Sequence, residues 1–322
     1  MKILICGIGS IGRRHLKNLL SLGYRNIILY RTGKHTIEND EPTSKLKTFN
    51  NLDEALCTNP DVAFITNPTS LHIQVALKAA KKGCHLFLEK PISHNMVGVY
   101  ELKKITDEKN LVTFVGCHLR FHPLLTQIKE IVDSGKIGKI FYARAEWSEY
   151  LPDWHTWEDY SKGYSARKDL GGGAIMTLIH SIDLLYWMIG KASEVKSENG
   201  KLSNLNLDVE DIAEIIIKFK SGAIGNVHVD FIQKPYVNTL TLNGLNGKIF
   251  WDYHAKFMEI TDREGKKEII KDPDGFEKNQ MYIDELKHFL GCVKNKKKTI
   301  NSLDQGIDTL NIALKAKNST RL

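Results

Sequence analysis

Two short stretches carry residue types suited to moving a proton and stabilising a charged oxygen. Glu89-Lys90-Pro91 closes an apolar run, and Gly171-Gly172-Gly173 opens a helical pattern holding Thr177, His180 and Asp183. An ammonium can hold an oxygen on which negative charge develops, and an imidazole titrates near neutral pH. Pro91 biases Lys90 toward an extended backbone and permits a cis peptide. A third stretch supplies the electron carrier's cradle. Gly7-Ile-Gly9-Ser10-Ile11-Gly12 follows the apolar run Ile3-Leu-Ile-Cys6 and opens a helix. That spacing allows a tight turn, close approach of backbone to a pyrophosphate, and phosphate binding by free amides at the helix start.

At the end of the second strand stands Leu29-Tyr30-Arg31-Thr32-Gly33-Lys34. An acid there would hold the ribose hydroxyls of NAD. None is present, and Arg31 can pair with a 2′-phosphate, with Thr32 and Lys34 as added donors. NADP is expected to be preferred and NAD remains possible. The alternative is an Arg31 that faces solvent, with both cofactors accepted.

The elements that position these groups fall into two sets. Ile3–Cys6, Ile27–Tyr30, Val62–Ile65, His85–Leu88 and 111–116 read as strands, with helices over 15–22 and 75–82. This alternation predicts a doubly wound parallel sheet over a first domain, 1–119. Over 120–322 the pattern changes to longer strands at 140–147, 212–219, 223–231, 237–242 and 248–251, joined by Ser221-Gly222 and the Gly244–Gly247 turn. A large, mostly antiparallel sheet with one packed face is expected. Helices follow over 282–293 and 303–315, and the last can pack back on the first domain.

Bulk properties narrow the field. The chain has 322 residues, 42% hydrophobic and 26% charged, with a formal net charge of +7. That suits a soluble globular protein of two domains, and the positive charge suits an anionic cofactor or an anionic substrate. No nucleic-acid module and no apolar run long enough for a bilayer accompany it, so neither partner is expected. No signal peptide precedes the first strand, which predicts the cytoplasm. Cys6, Cys57, Cys84, Cys117 and Cys292 are scattered, so no disulfide framework and no metal site are expected.

The chain resembles the Gfo/Idh/MocA family of oxidoreductases. The resemblance rests on the three glycines, Thr66-Asn67-Pro68-Thr-Ser-Leu-His72, Glu89-Lys90-Pro91, Arg120-Phe121, Gly171 to Gly173, His180, Asp183 and the Gly244–Gly247 turn. It implies a Rossmann domain, an open-faced α/β domain, and a homodimer or homotetramer across the open sheet. It implies oxidation or reduction of a sugar or cyclitol hydroxyl. It assigns Thr66, Asn67, Pro68 and His72 to the cofactor side, with Glu89 orienting the cofactor or Lys90; Lys90 itself goes to the reacting oxygen as well as the cofactor, and a substrate-facing pair stands at 177 and 180 that is normally Asp and His. Thr177 departs from that pattern. A threonine orients by hydrogen bonding but takes no net proton and cannot raise a histidine pKa as a carboxylate does.

His180 is the candidate general base, with Thr177 and Leu184 on its helical face; a histidine packed into an apolar core is the other reading. Asp183 is usually given a structural part, and can instead orient His180. Arg120 and His122 fall at the expected domain junction, where they can line a cleft. Trp154, His155, Trp157 and Tyr164 suit stacking on sugar faces, and Arg167 or Lys168 can pair with a carboxylate or phosphate; a packed loop with solvated charges explains them equally. The run 154–168 also looks like a subgroup associated with bacterial surface-sugar synthesis, including sialic-acid-like nonulosonates. The rival reading is a non-catalytic NADP-binding regulator or scaffold on the same fold, since fold does not fix function.

Overall fold

The computed structural model describes residues 1–32, 41–154 and 159–319. The chain divides into two compact units. Unit 1 comprises Met1–Cys117 with Tyr282–Ile307, and unit 2 comprises His118–Met281 with Asp308–Leu322.

Unit 1 is built on a parallel sheet. Its strands are β1 (Ile3–Cys6), β2 (Ile27–Tyr30), β3 (Thr48–Phe49), β4 (Val62–Ile65), β5 (His85–Glu89) and β6 (Thr113–Gly116), in the order β3-β2-β1-β4-β5-β6. β1 and β4 are wholly apolar or small and fully buried, as strands covered on both faces must be. The order reverses between β1 and β4, so their carboxyl ends form the crevice where such sheets bind ligands. Sequence reading drew one boundary near 119; the structure also returns Tyr282–Ile307 to unit 1. Phe289 is the reason, packing 5.9 Å from Phe64, 5.6 Å from Phe87 and 6.1 Å from Phe114 between ring centroids. The final helix, Leu303–Lys317, has Leu303 to Ile307 in unit 1 and the remainder in unit 2.

Unit 2 carries eight strands, β7 (Ile140–Ser148), β8 (Ala192–Gly200), β9 (Ile212–Phe219), β10 (Ile224–Asp230), β11 (Val237–Gly244), β12 (Gly247–Asp252), β13 (Phe257–Asp262) and β14 (Lys267–Lys271). Their order is β14-β13-β12-β11-β7-β10-β9-β8, antiparallel throughout except for the β7–β10 pair. In β9 the residues Ala213, Ile215, Ile217 and Phe219 are buried, while Glu214, Ile216 and Lys218 are exposed. Register places Tyr142 opposite Ile224, and Ile216 opposite Asn226. The face opposite the buried residues therefore presents exposed Tyr142, Ile216 and Ile224.

The helical pattern expected after the glycine stretch is in fact broken. A short helix, Ala174–Thr177, ends before Leu178-Ile179, and a second runs His180–Ile189; the helical path Lys168–Thr177 meets it at 51°. Thr177 and His180 thus lie on different helices, and their spacing does not place them on a common helical face. Both segments are buried in unit 2, and among the described residues no single helix is long and apolar enough to cross a membrane.

Candidate active site

In unit 1 the glycine loop is fixed from below. Gly12 lies so close to the turn that a Cβ would sit 2.1 Å from the Gly7 carbonyl oxygen. Thr66 donates its hydroxyl to that same carbonyl at 2.7 Å and lies 3.2 Å from the Cys6 carbonyl. Thr66 is buried, so its hydroxyl acts on the loop itself. Gly9 is different, since nothing lies within 4 Å of where its Cβ would be. Gly9 and Ser10 are exposed and Ile11 is partly so, at the start of the helix Ser10–Ser21. Beside the loop, both polar atoms of the Asn67 carboxamide are buried with no hydrogen-bond partner among the described residues. An open glycine, a helix start and an unused carboxamide fit a dinucleotide. Pro68 is exposed at the same strand end. Arg31, half-buried, stands at the end of β2, its amide donating to the Phe49 carbonyl at 3.0 Å. Lys34 and Gly33 lie outside the described residues.

His72 acts as a brace. Nε2 lies 2.7 Å from the Asn67 carbonyl and Nδ1 lies 2.9 Å from the Pro91 carbonyl. It joins the loop after β4 to the loop after β5 with both ring nitrogens engaged, so it holds backbone in place rather than presenting a polar edge to a ligand. Burial lowers its pKa against the pull of those carbonyls. The neutral ring donates to one of the two carbonyls. The braced segment contains Lys90, half-buried, followed by the cis Lys90–Pro91 bond.

Glu89, beneath Lys90, accepts from the Lys90 amide at 3.3 Å and pairs with His15 Nε2 at 2.7 Å. A third group, Glu285, completes a buried cluster in which one ligand-type atom of each residue lies within 4.8 Å of the others. Both Glu285 oxygens are buried without a hydrogen-bond partner among the described residues. Its pKa is pushed well up by burial and by the Glu89 charge, with Arg14 pulling the other way. Sequence reading missed His15 and Glu285; a buried acid on the helix after Tyr282 gave no local signal.

In unit 2 the glycine stretch serves packing. At Gly172 a Cβ would sit 2.2 Å from the Tyr164 carbonyl oxygen. At Gly173, φ is +111° and a Cβ would sit 2.1 Å from the Glu210 carboxylate. The close approach that the glycines permit is therefore to this chain's own loop and acid. Glu210 accepts from the Ile175 amide at 3.3 Å, at the start of the short helix, and lies 3.5 Å from Lys317 Nζ, which also donates to the Gly172 carbonyl at 3.0 Å. Burial raises the Glu210 pKa.

His180 is 3% exposed and held between rings. Trp147 on β7 stacks on it at 5.2 Å and 21°, and His118 meets it edge-on at 4.6 Å and 79°. Thr177 is buried at 2% exposure. Neither Trp147 nor His118 stood out in the sequence, because β7 and the turn after β6 are remote in the chain from the helix at 180.

Several expected ligand contacts are occupied otherwise. Arg120 is fully buried and makes a two-pronged ion pair with Asp183, Nε to Oδ2 at 2.9 Å and Nη2 to Oδ1 at 2.7 Å. That pair consumes the acid that could have oriented His180, and gives Asp183 a structural part. His122 is buried among Trp251, Tyr253 and Phe276, 3.7 Å from Asp272, and burial lowers its pKa to about 4. It is a neutral core residue, not a group presented to a ligand. Arg167 is exposed and forks onto Asp169 at 2.9 and 2.6 Å. Lys168 is exposed, and its amide donates to Asp208 at 2.7 Å. Trp154 is half-buried against Phe231 at 5.6 Å, and Tyr164 is half-buried in the turn under Gly172. His155 and Trp157 lie outside the described residues.

Two family models match the chain: the NAD-binding Rossmann fold of the oxidoreductase family over residues 1–117, and the GFO/IDH/MocA C-terminal domain over 125–250. Myo-inositol 2-dehydrogenase of Thermotoga maritima is 26% identical, over 99% of this chain and 96% of its own. Scyllo-inositol 2-dehydrogenase (NAD(+)) of Bacillus subtilis is 26% identical, over 98% and 93%. Levoglucosan dehydrogenase, solved with NADH and levoglucosan, superposes with a TM-score of 0.86 at 18% identity, covering 98% of this chain and 95% of its own. The WlbA dehydrogenase from Bordetella pertussis, solved with NADH and UDP-GlcNAcA, gives 0.81 at 20%, covering 99% and 96%. At these identities the solved structures speak for the fold. The models and full-length relatives speak for more: with its glycine cradle, its braced Lys90 and its ring-held His180, the chain belongs to the Gfo/Idh/MocA oxidoreductase family.

Proposed function

We propose that the chain transfers a hydride between NADP and a hydroxyl or keto carbon of a sugar or sugar derivative, with Lys90 and His180 handling the oxygen and its proton. The observation that carries this reading is the bracing of Lys90. His72 and Glu89 fix its backbone at the carboxyl end of β5, in the same sheet-end crevice as the glycine loop. Its full-length relatives are named as inositol dehydrogenases.

When bound, the nicotinamide supplies the hydride acceptor or donor. The amides after Gly9 and the Asn67 carboxamide would hold the cofactor, and Arg31 would pair with a 2′-phosphate. One relative's name and the two solved complexes carry NAD or NADH, so the NADP preference rests on Arg31. Lys90 Nζ holds the reacting oxygen as its charge grows, and the His180 imidazole takes the hydroxyl proton, returning it in reduction. Thr177 contributes orientation only. The exposed sheet face bearing Tyr142, Ile216 and Ile224 supports pairing with a second copy. The five cysteines, none of them in a disulfide among the described residues, suit the reducing cytoplasm.

The test is a panel of inositols, anhydrosugars and UDP-linked amino sugars, followed by nicotinamide absorbance with NADP and with NAD. On a substrate so found, Lys90→Ala and His180→Ala are each expected to lower turnover by about 10² or more, with cofactor affinity retained. A His180→Ala protein that turns over at the wild-type rate overturns the proton assignment.

A further inference from the structure

A base that receives a proton must be stabilised in its charged form, and at position 177 the residue is a threonine. The charge has to be met by something else. Among the described residues, two rings pack on His180, and the acids on its own helix and at the start of the short helix are engaged by other groups. His118, in the turn 118–121, meets the ring edge-on. Asp183, one turn along the same helix, is bound by Arg120 and lies 3.5 Å from the Thr309 hydroxyl. From β7, the Trp147 indole lies over the imidazole nearly parallel, at 21°. Behind the short helix, Glu210 is engaged by Lys317 and the Ile175 amide.

Among the described residues, the indole face has chemistry suited to a positive ring. An aromatic face carries partial negative charge and attracts a cation within about 6 Å of its centroid, tryptophan most strongly. Trp147 lies at 5.2 Å. It is 7% exposed, so little water weakens the attraction. Its own orientation is fixed, because Nε1 donates to Glu149 at 3.3 Å and Tyr236 packs beside it at 6.1 Å. That bond to a carboxyl oxygen also pushes electron density into the ring.

We propose that Trp147 is a positioning residue whose ring face stabilises the His180 imidazolium, doing the work a carboxylate at 177 would do. The inference rests on the reading of His180 as the proton acceptor, so its test reads the histidine directly and needs no substrate. His180 is observed by carbon–proton NMR of protein labelled at histidine Cε1, and its signal is assigned by its loss in His180→Gln. In Trp147→Leu, which keeps the apolar cover but loses the ring, the His180 midpoint is expected to fall by roughly 0.5 to 1.5 pH units. Trp147→Phe, with a weaker face, is expected to fall less. Uniform 5-fluorotryptophan, which withdraws charge from the ring at nearly constant shape, is expected to lower the midpoint in an otherwise unchanged protein, and covers the case of a Leu variant that does not fold. Adding Thr177→Asp to Trp147→Leu is expected to raise the midpoint again. An unchanged or raised midpoint in the Leu, Phe and fluorinated proteins overturns the proposal. Lowered midpoints together with full turnover by His180→Ala would leave the stacking effect standing and remove the base assignment instead.

Discussion

Asp183→Asn leaves the Arg120 guanidinium buried beside a neutral amide of nearly the same shape. In the wild type both charged groups are almost wholly enclosed, at 0% and 3% side-chain exposure, and joined by two hydrogen bonds. Trp187 covers the guanidinium at 5.5 Å. Breaking such a pair from one side costs about 3–5 kcal/mol, because the remaining buried charge loses its ion partner. For a domain of this size that corresponds to a fall in Tm of roughly 6–20 °C. Arg120→Met is expected to cost a similar amount, through the stranded carboxylate. The double variant Arg120→Met/Asp183→Leu is expected to recover most of the loss, since desolvation offsets much of what the pair contributes. The chain has five tryptophans, all between residues 118 and 281, so urea denaturation followed by tryptophan fluorescence reports on unit 2. Losses below about 1 kcal/mol in both single variants would refute the argument, as would a double variant at the sum of the two. An Arg120→Met protein of normal stability but weakened substrate binding would return Arg120 to the ligand.

Glu285→Gln is expected to raise stability at neutral pH. A raised carboxyl pKa in the folded state means that stability falls as pH climbs from about 4, where the unfolded chain releases the proton, toward the folded value. Gln removes that loss, so the gain should vanish near pH 4; a lower Tm for the variant at pH 7 would show that Glu285 works as an anion. Arg31→Asp is expected to exchange NADPH preference for NADH, replacing a phosphate partner by a ribose acceptor that repels the phosphate; calorimetry giving wild-type protein tighter binding of NADH than of NADPH would remove the premise. Gly173→Ala is expected to destabilise unit 2 by more than 1 kcal/mol, since the backbone is left-handed there and the added methyl meets Glu210 at 2.1 Å; fluorescence-detected unfolding at the wild-type midpoint would count against this.

What the sequence determined by itself lay within a few residues at a time. Gly7 to Gly12 after a buried apolar strand fixes the turn and helix start of a nucleotide site, and the period-two pattern of Ala213 to Phe219 fixes a one-sided strand. Glu89-Lys90-Pro91 named the lysine before any coordinates. Polar β8, the short β3 and β14 were not legible, because they sit in or near sheet edges and bury too little to leave a periodic mark. The tertiary structure alone decided how the charges are used. Arg120 and Asp183 are 63 residues apart, and only folding shows that each answers the other. His72 looked like a cofactor ligand until its two nitrogens were found on the Asn67 and Pro91 carbonyls. His180 was named from its motif, but the indole over it comes from a strand that enters the core 33 residues earlier. Local pattern reports which side chains are buried. Which buried side chains meet is set by how strands and helices from distant parts of the chain pack, and that information is not carried by any short stretch of sequence.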